Sequence, residues 1–325
     1  MSLEAVAEKY AVAISPAIRN LIVPGDPDDP IARQFLPSEA ELVTFDTERA
    51  DPIGDAAHSP LPGIVHRHRD RVLFKAVAAC PVYCRFCFRR AMIGPGSRDA
   101  LSPQAFDAAM DYIASHPEIW EVILTGGDPF ILSARRAAEI TARLGAMVHV
   151  KIIRWHTRVP VVAPERVTEE FVAALKGDFA ASYVALHANH PREFSAEARA
   201  AIARLVDAGI PMVSQSVLLR GVNDDVETLE ALMRCFVENR IKPYYLHHPD
   251  LAPGTSHFRL DIEEGLALVR ALRVRISGLA MPAYMLDIPG GFGKVLLDST
   301  HVEKTPDGHR IRDSGGAWHI YPPAI

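Results

Sequence analysis

Residues 72–90 read VLFKAVAACPVYCRFCFRR. An apolar, strand-length run ends in three cysteines within eight positions: Cys80, Cys84 and Cys87. The thiols therefore stand on the loop that leaves a strand. The same rhythm continues downstream. Apolar or β-branched runs recur at 121–125 (EVILT), 148–153 (VHVKII), 182–187 (SYVALH), 212–219 (MVSQSVLL), 242–247 (KPYYLH) and 281–287 (MPAYMLD). Amphipathic stretches of helical length lie between them, such as FDAAMDYIASH, SARRAAEITARLGA, TEEFVAALKG, SAEARAAIARLVDAG and VETLEALMRCFVENR. Several begin after Ser, Thr or Asp and end near Gly, as helix caps require.

Strand–helix alternation of this kind gives parallel strands joined by right-handed crossovers. The expected class is α/β. Six units plus a final strand suit a partial (β/α)6 barrel, with a doubly wound open sheet as the alternative. Residues 1–65, rich in Pro, Asp and Glu, read as an N-terminal helical or irregular extension. Residues 66–290 read as the barrel, and 291–325 as a glycine-rich loop and a small β extension. Turn signals at Pro-Asp-Gly and Ser-Gly-Gly predict a hairpin in that tail.

Composition narrows the class. The chain has 325 residues, of which 49% are hydrophobic and 23% charged, so it buries a core without disulfide staples. With 35 basic and 40 acidic residues its formal charge is −5, and no positive field points to nucleic acid. No run of about 18 apolar residues predicts a membrane span. The N-terminus lacks a basic region followed by an apolar core, so a cytoplasmic location is expected.

The chemistry-bearing residues cluster at strand ends. Gly126, Gly127 and Asp128 follow the second strand, and His187 ends the fourth. Asp250 follows the sixth and Asp287 closes the last. In an α/β barrel these points share the C-terminal face, where active sites lie. Three thiols spaced C-x3-C-x2-C suit a compact soft metal centre. Tetrahedral zinc needs a fourth ligand, and Cys235, the remaining thiol, sits mid-helix as a small core residue. Arg85, Arg89 and Arg90 supply the positive surroundings that thiolates need. A second feature is Asp287-Ile-Pro-Gly-Gly-Phe-Gly-Lys294. It is not a phosphate loop, because Val295 follows the lysine. A glycine run can hold such an amine inside a cleft, where desolvation makes it a Schiff-base former.

The cysteine spacing resembles the radical S-adenosylmethionine (SAM) superfamily, and Gly126-Gly127-Asp128-Pro129 resembles its glycine-rich motif. That resemblance implies a 4Fe-4S cluster on Cys80, Cys84 and Cys87, with one iron left open to chelate SAM. Reduction then cleaves SAM to a 5′-deoxyadenosyl radical. Together with the Lys294 motif, the sequence closely resembles the lysine 2,3-aminomutase family, from about His66 to Lys294. Supporting segments are LTGGDP, RVPVVAPERVT, LHANHPRE, QSVLLRGVND, KPYYLH and DLAPGTSHFR.

This second resemblance implies an isomerase that moves an amino group between C2 and C3 of L-lysine. Lys294 would carry pyridoxal 5′-phosphate (PLP). Arg67, His68 and Arg71 match the segment that contacts PLP, although the family usually has tyrosine where His68 stands. Gly126, Gly127, Asp128, His187 and Gln215 match groups that hold SAM. Arg89 matches the arginine that grips the substrate carboxylate. Asp250 and Asp287 match the paired acids that take the distal ammonium. Two carboxylates in a closed pocket repel, and a cation between them relieves that repulsion. The same chemistry acting on arginine or glutamate, or a radical SAM enzyme without PLP, are the alternatives, and the acid pair speaks against glutamate.

The resemblance also implies an electron donor such as flavodoxin or ferredoxin and is compatible with a homo-oligomer. Longer members hold a structural zinc on C-terminal cysteines. With no cysteine beyond Cys235, none is expected here. Phe88 after the third cysteine and the short tail are more similar to the branch that supplies (R)-β-lysine for modification of elongation factor P.

Overall fold

The computed structural model describes residues 2–93, 101–297, 302–306, 308–312 and 318–321. Among these residues the strands form one nine-stranded and one three-stranded sheet. The large sheet runs in chain order: β1 (Ile64–His68), β2 (Arg71–Val77), β3 (Glu121–Gly126), β4 (Ile152–Thr157), β5 (Ala181–His187), β6 (Met212–Val217), β7 (Ile241–His247), β8 (Ala283–Ile288) and β9 (Gly293–Leu296). β2 through β8 are parallel, while β1 and β9 pair antiparallel at the two edges. The result is the expected α/β barrel, nearly closed. Its two edges approach where Gly54 packs on Gly291 and where Gly293 comes near the His68 ring.

Helices cover the outside. Three short ones precede the sheet: α1 (Leu3–Lys9), α2 (Pro16–Leu21) and α3 (Pro30–Phe35). The crossovers carry α4 (Pro103–Ala114), α5 (Ala134–Gly145), α6 (Val159–Val162), α7 (Glu169–Ala174), α8 (Ala196–Asp207), α9 (Val226–Glu238) and α10 (Ile262–Arg273). Ser102, Ser133, Thr168, Ser195 and Asp225 accept backbone N–H bonds at the first turns of α4, α5, α7, α8 and α9, as side-chain caps.

Period-2 alternation decides what faces the helices and what faces the barrel. Val72, Phe74, Val122, Leu124, Ile153, Trp155, Val184 and Leu186 belong to the outer core between sheet and helices. Their neighbours turn inward: Lys75, Thr125, Arg154, His156, His187 and Gln215. The barrel interior is therefore polar, and that is where a site can form.

Three expectations are corrected. The third strand spans 152–157, not 148–153. Arg154 and His156 look polar in sequence, yet they are the inward half of an alternation whose outward half is buried Ile153, Trp155 and Thr157. Lys294 lies on β9, in register with Asp287 on β8, and not in a loop. The tail forms a three-stranded meander of β10 (Val302–Thr305), β11 (Gly308–Arg312) and β12 (Trp318–Tyr321), one strand more than a hairpin. The Ser-Gly-Gly turn lies outside the described residues.

The N-terminal segments fasten the cysteine loop. Buried Glu41 accepts from Arg85 Nε at 3.0 Å and also pairs with Arg90. The backbone N–H groups of Tyr83 and Arg85 donate to Ala13 O and Gln34 O at 3.1 and 2.8 Å. One carboxylate shared by two buried guanidiniums is costly to break, because either loss leaves an uncompensated charge.

Candidate active site

The cysteine loop leaves β2 and folds back over the barrel mouth. One of the three thiols has a side-chain donor aimed at it: Arg158 Nη1 donates to Cys84 Sγ at 3.0 Å. Burial, then the neighbouring Cys84, pushes the Cys87 thiol up to about 11. Burial, the Asp128 carboxylate and the other two thiols push Cys80 up as well. Among the described residues, no three His, Cys, Asp or Glu side chains converge on a single-ion site. Cys80 and Cys87, both raised by burial and by neighbouring thiols, with the Arg158 guanidinium on Cys84, fit a cationic iron–sulfur centre, which lowers thiol pKa values by its own charge. Cys235 lies on α9, packed against the outer core.

The glycine turn follows β3. Gly127 N–H donates to Val77 O at 2.7 Å and Asp128 N–H to Ala79 O at 3.0 Å. A Cβ on Gly127 would sit 2.2 Å from Ala79 O, and Gly126 holds φ of +106°. Only glycine lets the turn approach the β2 end this closely. Both Asp128 carboxylate oxygens are engaged. Oδ1 accepts from Thr157 Oγ1 at 2.7 Å and Phe130 N at 3.0 Å, and Oδ2 accepts from Arg158 N at 2.7 Å. Asp128 thus pins the turn to the end of β4, with no oxygen left to aim into the barrel.

His187 and Gln215 are register partners on β5 and β6. Burial pushes His187 down to about 3, helped by Arg158, Arg89 and Lys294. One ring thus senses both the arginine on Cys84 and the amine on β9. His156, with centroid 5.7 Å from His187, and His247 are likewise partly buried and held well below the ordinary imidazole range. Burial is the first cause for each, followed by Arg154 for His156 and by Lys294 for His247.

On β9 the Lys294 ammonium contacts Asp287 Oδ2 and lies 3.3 Å from His247 Nδ1. Its amine is 5.8 Å from the Tyr245 ring centroid. Burial, with Asp287 beside it, pushes Asp250 up to about 7. Gly293, the residue before this lysine, meets a group suited to an anionic ring compound: His68, with Arg67 and Arg71 near it. Burial, then Arg71 and Arg67, lowers the His68 pKa. Arg71 pairs with Asp70 at 2.8 Å at the far end of β2. Arg67 Nη2 reaches Ile53 O at 2.6 Å, and its buried Nε has no partner. An inward amine with basic groups close by fits a phosphate-bearing aldehyde.

Arg89 Nη1 donates to Thr125 Oγ1 at 3.3 Å and its buried Nε is unpartnered. The structure brings Arg89, Asp250, Asp287 and Lys294 into one electrostatic neighbourhood. Sequence reading missed Arg158, His156 and His247. Strand phase could have found the histidines, and the RVPVVAPERVT segment contains Arg158.

Comparison with known proteins gives first the class and then the family. Residues 75–233 match the Radical SAM superfamily. The chain is 40% identical to L-lysine 2,3-aminomutase of Clostridium subterminale over 97% of its own length and 75% of the relative. It is 39% identical to the enzyme of that name from Fusobacterium nucleatum, over 94% of this chain and 71% of the relative. It is 38% identical to that of Acetoanaerobium sticklandii, over 90% and 70%. The chain belongs to the lysine 2,3-aminomutase family of radical SAM enzymes. Membership makes it an isomerase and implies a 4Fe-4S cluster, SAM and PLP as cofactors. Among the described residues no helix is long and apolar enough to cross a membrane.

Proposed function

We propose that the chain interconverts L-lysine and β-lysine, with PLP on Lys294. The observation that carries this reading is the Lys294 amine. It is held inside the barrel between Asp287 and His247, within electrostatic reach of the same His187 that senses the cluster-facing Arg158.

When bound, the cluster and SAM supply one-electron hydrogen abstraction, and PLP supplies the imine chemistry that lets an amino group migrate. The protein positions and shields. Cys80, Cys84 and Cys87 would hold the cluster. The Gly126-Gly127 backbone, braced by Asp128, would face SAM together with His187 and Gln215. Arg67, His68 and Arg71 would line the PLP side. Arg89 would take the substrate carboxylate through its planar fork. Asp250 and Asp287 would take the distal ammonium once Lys294 is engaged elsewhere. On this reading 1–65 is a bracing extension, 66–290 the bulk of the barrel, and 291–325 the segment that carries Lys294 on the edge strand β9 and the β extension. For electron supply we propose a flavodoxin or ferredoxin. For the destination of the product we propose elongation factor P, on the strength of Phe88 after Cys87.

The test is anaerobic reconstitution with iron, sulfide, PLP, SAM and, separately, lysine, arginine and glutamate. The expected outcome is a β-amino acid from lysine. Product from arginine or glutamate alone overturns the substrate assignment.

A further inference from the structure

Asp55 belongs to the segment before β1, where no sequence motif marks it. Its carboxylate is almost fully buried, at 2% exposure. Oδ1 lies 3.3 Å from Arg67 Nη2, and Oδ2 accepts from Arg89 Nη2 at 3.1 Å. One acid therefore joins the arginine on the PLP side to the arginine assigned to the substrate carboxylate.

The chain goes to some length to place it there. Asp51 accepts from Asp55 N at 2.9 Å and Ala56 N at 2.8 Å, which shapes the turn. Gly54 holds φ of +69°, and a Cβ there would lie 2.6 Å from Gly291 N. His58 Nε2 sits 3.3 Å from Gly291 O. The same turn thus touches both arginines and the glycine run that ends in Lys294. Lys75, in register with Thr125, adds a third cation near Asp55 and Arg89. Cations outnumber the one carboxylate that touches both guanidiniums, so the neighbourhood still favours an incoming anion.

We propose that Asp55 is a positioning residue: it fixes the Arg89 fork for the substrate carboxylate and couples that fork to Arg67 and to the glycine turn that leads into Lys294. A bridging carboxylate serves two guanidiniums at once, whereas an amide offers one acceptor oxygen. The inference rests on the lysine aminomutase reading above.

The test uses the PLP-loaded full chain and compares lysine with lysinamide, which lacks the carboxylate. Affinity is read from the change in PLP absorbance on titration. Asp55→Asn is expected to weaken lysine by about tenfold or more, leave lysinamide within about twofold, and keep its fold. Thr125→Val, which removes only the second bond to Arg89, is expected to shift lysine the same way by a few-fold. It serves as the second variant should Asp55→Asn unfold. Equal losses for both ligands, or no loss with either variant, overturn the proposal. If the wild-type protein gives no absorbance response to lysine, the substrate reading itself falls, and the role of Asp55 toward that carboxylate falls with it.

Discussion

Lys294 and Asp287 are cross-strand partners on β9 and β8, and the lysine ammonium rests on the aspartate carboxylate. The register makes this contact unavoidable, since directly opposed side chains on one face of a ladder meet. On the proposed reading the pair would give Asp287 two successive cations: the carboxylate holds Lys294 now and would be released to a substrate ammonium once the amine has reacted.

Asp287→Asn is therefore expected to weaken lysine binding by about tenfold or more, because the neutral amide loses the charge–charge attraction. SAM binding should be unchanged. Isothermal titration with each ligand separates the two, and equal lysine affinity in wild type and variant contradicts the ammonium assignment.

Lys294→Ala is expected to abolish borohydride-fixed PLP. The variant has no amine at this position for a Schiff base, while on the proposed reading Arg67 and Arg71 would still attract free PLP through its phosphate. Intact-mass spectrometry after reduction reads the adduct. A retained adduct would move the assignment to another amine, with Lys75 the first to test.

Cys84→Ala is expected to lower iron to background after anaerobic reconstitution, with loss of SAM cleavage. It also strands Arg158, whose Nη1 now faces the Cys84 sulfur. Iron assay and the absorbance of the cluster are the measurements, and wild-type iron content would refute the cluster ligand set.

Lysine affinity should strengthen as pH rises through about 7, where Asp250 titrates. The sign follows from burial. Before a cation binds, the site favours the protonated acid, held up by desolvation and Asp287 against the opposing pull of Lys294 and Arg89. A cationic side chain favours the ionised form, so binding releases a proton and is easier at higher pH. The same raised pKa means the fold loses stability as pH rises from the ordinary carboxylate range to about 7, then levels off. Titration calorimetry from pH 6 to 8 in two buffers of different ionisation heat measures the proton release. Asp250→Asn should flatten the profile.

Gly127→Ala is expected to destabilise the chain by about 2 kcal/mol, since the new Cβ must displace the backbone at Ala79 O. Urea unfolding reads this. Wild-type stability would mean that the turn relaxes freely.

Much of the barrel was legible because each parallel strand announces itself twice, by its apolar outer face and by the capped helix after it. Cys80, Cys84, Cys87 and Lys294 were legible because their spacing is local. Asp55 was not, because its partners Arg67 and Arg89 lie 12 and 34 residues away and meet it only in the folded chain. The third strand was misplaced for a related reason. A polar barrel interior puts Arg154 and His156 where a hydrophobic interior would have shown a clean signal. The antiparallel edges β1 and β9 were missed because each is short and carries a chemistry-bearing residue, His68 or Lys294.

The three interior imidazoles carry a consequence for enzymology. His187 is held near 3, and His156 and His247 well below their ordinary range, so all three remain uncharged throughout physiological acidity. They contribute lone pairs and N–H groups of constant character, but no inflection. A rate profile recorded between pH 5 and 8 should then bend on one acidic limb, traceable to a carboxyl, and the familiar imidazole shoulder should be missing.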